Sequence, residues 1–299
     1  MPLLSSIELG CDRYLTFDKQ LFPSGVPRLT TACIHSINIR TIHHCLSAFG
    51  SLTSLQLKAL IIYNHDNDMA YSLFRDALMA MPSLHHLDLS IKIFEASPGR
   101  LPILLPRIQH LHAHCNGYMI DSNPLSSLLH SITAASLVAL SLSNQRDSDL
   151  LELITHASKP HFPSLQHLIL TNVSSKVQHL TALAQAFPDI ERLTFTPDHS
   201  ASAPDINRIF DTFLCGAGPG DTAENGAPLW PKVQSIALST FRERFAVPQL
   251  KSKILQLQAA GHHIRKLLLP QYMHPAMVEV GEIIALEEFY VDWPTPFEW

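Results

Sequence analysis

The chain has 299 residues, 46% hydrophobic and only 16% charged, with a formal net charge of −5. A chain this apolar and weakly charged can bury enough surface to fold, which excludes intrinsic disorder, and the acidic balance implies no basic face for nucleic acid. The five cysteines, Cys11, Cys33, Cys45, Cys115 and Cys215, are odd in number and widely spaced, with no CxxC pair. They predict no disulfide framework and fit a reducing, intracellular setting, cytoplasmic or nuclear.

The start, MPLLSSIELG, has no basic segment followed by a long apolar run, so no signal peptide is expected. From there a hexad recurs along the chain: apolar, two variable residues, apolar, one variable, apolar. Its copies begin at Leu4 (LSSIEL), Ile34 (IHSINI), Leu52 (LTSLQL), Leu84 (LHHLDL) and Ile108 (IQHLHA). They continue at Leu137 (LVALSL), Leu165 (LQHLIL), Ile190 (IERLTF), Val233 (VQSIAL), Ile264 (IRKLLL) and Leu286 (LEEFYV). The last apolar pair of each copy alternates with period two, as a half-buried strand requires. Five copies follow a proline cue, MPSL, LPRI, FPSL, FPDI and WPKV, which ends any helix and brings the chain in extended.

Between these strands the period becomes helical. A short helix is predicted over 41–49. Met69, Leu73, Ala77, Leu78 and Met81 share one face, as do Leu150, Leu151, Ile154 and Ala157. Val177, Leu180, Leu183, Ala184 and Phe187 repeat the arrangement, as do Ile206, Ile209, Phe210 and Phe213. Asn123–Pro124 suits an N-cap followed by the first helical position, and Asp147 or Ser148 suits another cap. Residues 126–144 read as a short helix followed by a strand rather than a membrane span. Residues 216–229 read as a flexible inserted loop; GAGPGD there follows a helix and lacks the Lys-Ser/Thr of a phosphate-binding loop. Tyr290, Trp293, Phe297 and Trp299 are placed to wrap over the last unit.

Eleven strand–helix units of about 20–45 residues predict a single α/β solenoid over 1–299, an irregular arc of parallel strands backed by helices, since each unit needs its neighbours to bury its apolar face. An ordinary α/β fold with leucine-rich strands is the alternative. The L-x-x-L-x-L array resembles leucine-rich repeats. With its irregular spacing and (F/M)PSL phrasing it is similar to the fungal F-box/leucine-rich-repeat proteins. That resemblance implies a protein-interaction module in which the repeats recruit a substrate. It also implies a Skp1-type adaptor of a ubiquitin ligase as partner where an F-box is present. Here the first repeat already begins at Leu4, and the F-box is not recognised in 1–299, which suggests a truncated or divergent member.

The variable strand positions define the face that would bind. They include His86 and Asp88; His110, His112 and His114; Ser141; His167; and Arg192. Strand spacing of about 4.8 Å would set His86 beside His110 and Asp88 beside His112. This face is read either as a partner-binding surface or as a solvated sheet face. A metal site from His110, His112, His114 and Cys115 is weighed and set aside, because Cys115 should point away from His114 and the spacing is not that of zinc ligands. No HExxH, GxSxG or SxxK occurs. The expectation is a non-enzymatic module with no cofactor, no metal, no nucleic-acid and no membrane partner. A free-standing scaffold and a metal-dependent enzyme on the histidine-rich face remain the alternatives.

Overall fold

The structure is a computed structural model. It describes residues 4–10, 15–63, 69–95, 100–115, 124–143, 161–171, 177–196, 206–215, 229–239, 247–291, 293 and 297. The fold is α/β, with a long parallel sheet of eleven strands backed by helices, and the strands follow one another in sequence order. Two compact units are formed. One comprises Met1–Leu140, Ser158–Ser164 and Trp293–Trp299; the other comprises Ser141–Ala157 and Leu165–Asp292.

In the first unit the ladder runs through β1 (Ser6–Leu9), β2 (Thr31–His35), β3 (Ser54–Ile62), β4 (His86–Phe94) and β6 (His110–Cys115). A minor pair joins β5 (Ile103–Leu104) to β7 (Ile132–Thr133). The strands stack in register, so equivalent repeat positions form rows across the sheet. One row is Glu8, Cys33, Gln56, Asp88 and His112. The row beside it is Ser6, Thr31, Ser54, His86 and His110.

Two backbone devices recur in every well-formed repeat. The carbonyl just after the first apolar position accepts two successive amides of the next repeat: Ser5 takes Thr30 and Thr31, Thr30 takes Thr53 and Ser54, and Thr53 takes His85 and His86. His85 likewise takes Gln109 and His110, and Gln109 takes Val138 and Ala139. Before each such repeat a tight turn closes with an i to i+3 bond, as Leu29 N–H to Val26 O, Leu84 to Met81, and Ile108 to Leu105. Pro27, Pro82 and Pro106 sit at the second turn position, where their fixed φ is pre-set for the turn. The proline cue therefore marks the turn itself.

These bonds correct two repeat frames. The second repeat begins at Leu29 (LTTACI), not Ile34, because Ala32 and Ile34 align with Leu55 and Leu57. The intervals around it become 25 and 23 residues, in place of 30 and 18. The pattern at Ile34 fails because β2 ends at His35 and Ser36 turns into the left-handed region at φ 53°; Ile37 and Ile39 leave the sheet. Ile39–Cys45 then forms a 3-10 helix capped by the Asn38 side chain, two residues earlier than predicted. At the other end Leu286 aligns with Leu267, so the last frame starts at Ile283 and puts Glu288 opposite Leu269.

Helix α1 (Met69–Met79) buries Ala70, Tyr71, Phe74, Ala77 and Leu78. Its buried face is turned from the predicted one, leaving Met69 exposed, because Tyr71 and Phe74 both pack edge-on against Phe94. Helix α2 (Pro124–Ser131) starts on the expected proline.

The second unit holds β9 (His167–Thr171), β10 (Arg192–Thr196), β11 (Ser235–Leu238), β12 (Lys266–Leu269) and β13 (Ala285–Glu288), again parallel and in register. Helix α3 (Val177–Ala186) buries Leu180, Leu183 and Ala184; α4 (Ile206–Cys215) buries Ile209, Phe210 and Phe213. Helix α5 (Val247–Ala259) and the short α6 (Val278–Gly281) follow. Trp230 is the anchor here. It is 1% exposed, meets Phe213 edge-on, and donates its indole N–H to Phe187 O at 2.9 Å. The helix expected over 150–157, its caps at Asp147 or Ser148, and all of the loop expected over 216–229 except Leu229 lie outside the described residues.

Candidate functional site

In the first unit the register brings the predicted histidines together. His86 pairs with His110 and Asp88 with His112 along β4 and β6. The rings of His86 and His110 stack at 4.5 Å, and His112 lies 6.4 Å from His114 along the strand. Trp293, which the sequence reading sent to cap the last repeat, instead packs edge-on against this patch. It stands 5.4 Å from the His110 ring, nearly perpendicular, and 6.3 Å from His112.

The expectation of an open polar face is corrected by this burial. His112 is 7% exposed, and His86, Asp88, His110 and His114 are half-buried. Burial pushes the His112 imidazole down to about 3, with the neighbouring His114 adding to it. It pushes His110 down to about 4, helped by His86 and His85, and it also lowers His86. Asp88 moves the other way, up to about 6, because burial outweighs the Gln56 amide at 2.8 Å and the Lys58 charge. At neutral pH His86, His110 and His112 are therefore held toward the uncharged imidazole by burial. Such groups accept, donate and stack, and their basicity is too low for a general base working near pH 7.

In the second unit His167 is buried and bonded through Nε2 to Thr194 Oγ1 at 2.9 Å, in register with Arg192. The Arg192 guanidinium lies over the Tyr290 ring at 4.8 Å and reaches its carbonyl at 3.4 Å. Ser141, on β8 (Ala139–Ser143), is wholly buried. Ser141 and His167 thus belong to the packed interior of the sheet face, and Arg192 is held by the chain's own C-terminal segment.

The sequence reading missed a third group. Glu8, Cys33 and His35 place their ligand-type atoms within 4.8 Å of one another. His35 Nε2 is 3.0 Å from Glu8 Oε1 and 3.4 Å from Cys33 Sγ. The Cys33 thiol donates to Gln56 Oε1 at 3.0 Å, and burial raises it above the ordinary thiol value, against a smaller lowering by Lys58. The signal was C-x-H on one strand, which puts both side chains on one face; the wrong frame at Ile34 hid it. A cavity of about 200 Å³ lined by Ile37, Arg40, Ile61 and Tyr63 lies on the same unit. It is below the size of usual small-molecule sites.

No protein-family model matches the chain, and no curated protein matches it. Among solved structures, the crystal structure of a Bacteroides fragilis protein determined as a structural-genomics target is similar over 88% of this chain and 68% of that one, at 13% identity and a TM-score of 0.44. Among the described residues no helix is long and apolar enough to cross a membrane.

Proposed function

We propose that the chain is a repeat scaffold that binds a protein partner and carries out no chemistry of its own, similar to the substrate-recognition region of fungal F-box/leucine-rich-repeat proteins. The docking surface is the strand face around His86, Asp88, His110, His112 and His114. The partner is an extended segment that inserts an aromatic side chain where Trp293 now lies. The observation that supports this reading is the edge-on seating of Trp293 on His110 and His112. The face already accepts the aromatic ring of Trp293. Its imidazoles are neutral, which suits ring contacts and hydrogen bonds over charge steering. His86 Nε2 and His110 Nδ1 are buried with no hydrogen-bond partner among the described residues, so an incoming segment has polar atoms to satisfy. A ligase role through a Skp1-type adaptor rests on the resemblance alone.

A labelled peptide spanning residues 289–299 (FYVDWPTPFEW) tests the reading. The full chain carrying Trp293→Ala should bind it in fluorescence anisotropy. The same peptide with alanine in place of tryptophan at position 293 should bind at least ten-fold more weakly. Wild-type chain should bind it poorly, because a tethered competitor acts at an effective concentration of about millimolar. Equal binding of the two peptides would remove Trp293's seat as the docking site.

A further inference from the structure

We propose that Glu8, Cys33 and His35 form a zinc site that fastens the first strand to the second. The site lies two strands from the histidine patch, in the same row of the sheet, and needs no partner bound there.

Strand register brings the three side chains together. β1 pairs with β2 so that Glu8 lies opposite Cys33. His35 follows two residues on along β2, so it shares the face of Cys33. Gly10, just past β1, leaves the room that His35 uses, since a Cβ there would come within 3.2 Å of His35 Cβ. Three donors of different type, a thiol, an imidazole and a carboxylate, therefore converge from two neighbouring strands.

Their spacing approaches that of a coordination shell, with all three donor atoms within 4.8 Å of one another. Zinc–sulfur bonds of about 2.3 Å and zinc–nitrogen or zinc–oxygen bonds of about 2.1 Å, set tetrahedrally, put the ligand atoms about 3.4–3.6 Å apart. The observed edges are 3.4 Å for sulfur to nitrogen and 3.0 Å for nitrogen to oxygen. Both are within about half an ångström of those edges, a shift that side-chain rotation supplies. Both edges meet at the same atom, His35 Nε2.

The donor set selects the metal. Thiolate and imidazole favour zinc over the hard cations calcium and magnesium, which take oxygen ligands. On binding, the sulfur–zinc bond forms, the Cys33 thiol proton leaves to solvent, and His35 Nε2 presents its lone pair with the ring proton on Nδ1. Glu8 is the most exposed of the three, so the fourth position opens to water. Gln56 Oε1 accepts the Cys33 thiol proton while its amide donates to Asp88, so the thiol–Gln56 bond is given up when the metal displaces that proton.

Cobalt(II) is the probe, added to the full chain after chelator treatment. One equivalent should give the intense d–d absorption of a four-coordinate ion together with thiolate-to-cobalt charge transfer, and zinc should displace it one for one. Cys33→Ser should abolish the charge-transfer band. His35→Gln and Glu8→Gln should each weaken zinc binding at least ten-fold in competition with a chromophoric chelator, while His110→Gln leaves it unchanged. Glu8 is exposed, so that variant keeps the fold even if Cys33→Ser does not. Absence of the charge-transfer band in wild-type protein overturns the proposal without recourse to any variant. So does a band that survives Cys33→Ser, or zinc affinity unmoved by Glu8→Gln and His35→Gln.

Discussion

His112 provides a quantitative test of how closed the histidine face is. Its folded-state value is pushed down to about 3 from an ordinary 6.5 by burial. A histidine that resists protonation in the folded state contributes stability that is present above about pH 6.5 and is lost as the pH falls toward 3, because the unfolded chain takes the proton first. One pH unit of such a difference is worth about 1.4 kcal/mol. Between pH 7.5 and 5.0 the loss from this residue is about 2 kcal/mol, and solvent screening discounts it little because the side chain is only 7% exposed. His112→Asn keeps a neutral polar group of similar reach and cannot titrate. Urea unfolding followed by far-ultraviolet circular dichroism at the two pH values should show the variant losing about 2 kcal/mol less than wild type. Asp88 acts with the opposite sign, since its raised value makes acid stabilise the fold as the pH falls through about 6, and its effect cancels in the comparison. Equal losses for the two proteins would mean that the imidazole is hydrated and that Trp293 does not cover it.

Trp230→Phe should cost about 1–3 kcal/mol, from the lost hydrogen bond to Phe187 O and the unfilled volume beside Phe213, read as a lower urea midpoint at unchanged slope. A variant as stable as wild type would show that the indole N–H is replaceable by water. Ser36→Gly should raise stability by up to about 1 kcal/mol, because glycine reaches φ 53° without a Cβ clash and the bond from residue 36 N–H to Lys58 O is kept. A destabilised glycine variant would show that the serine side chain holds this turn.

The repeat array was legible because its physics is local. Leu52, Leu84, Ile108, Leu137, Leu165, Ile190, Val233 and Ile264 all begin repeats whose next apolar positions are buried at the sheet. The misread frame at Ile34 had its correction in plain view. Val26-Pro27-Arg28-Leu29 carries the same turn as MPSL and LPRI, but Ala32 is a poor apolar marker and the Ile34, Ile37, Ile39 triplet mimicked the hexad. At β13 the pattern could not be read, because a terminal strand has one neighbour and Glu287 and Glu288 are tolerated there. Histidine adjacency followed from strand alternation, whereas burial did not, since it depends on Trp293, about 180 residues away. Period-two reasoning says which side a residue faces and is silent about what lies over that side. The Glu8, Cys33, His35 group needed the pairing of β1 with β2, which no local pattern announces.

In-register stacking also has a consequence for how such a surface changes over time. The row Glu8, Cys33, Gln56, Asp88, His112 is drawn from five repeats, while the apolar columns on either side of it carry the core. A single substitution in one repeat rewrites one cell of this outward-facing grid and leaves every column intact. A duplication or loss of a whole repeat shifts the grid by one strand and preserves its reading frame. A one-residue insertion within a strand, by contrast, turns the row toward the core. The surface is therefore editable by substitution and by whole units, and its register is protected by the same leucines that hold the sheet together.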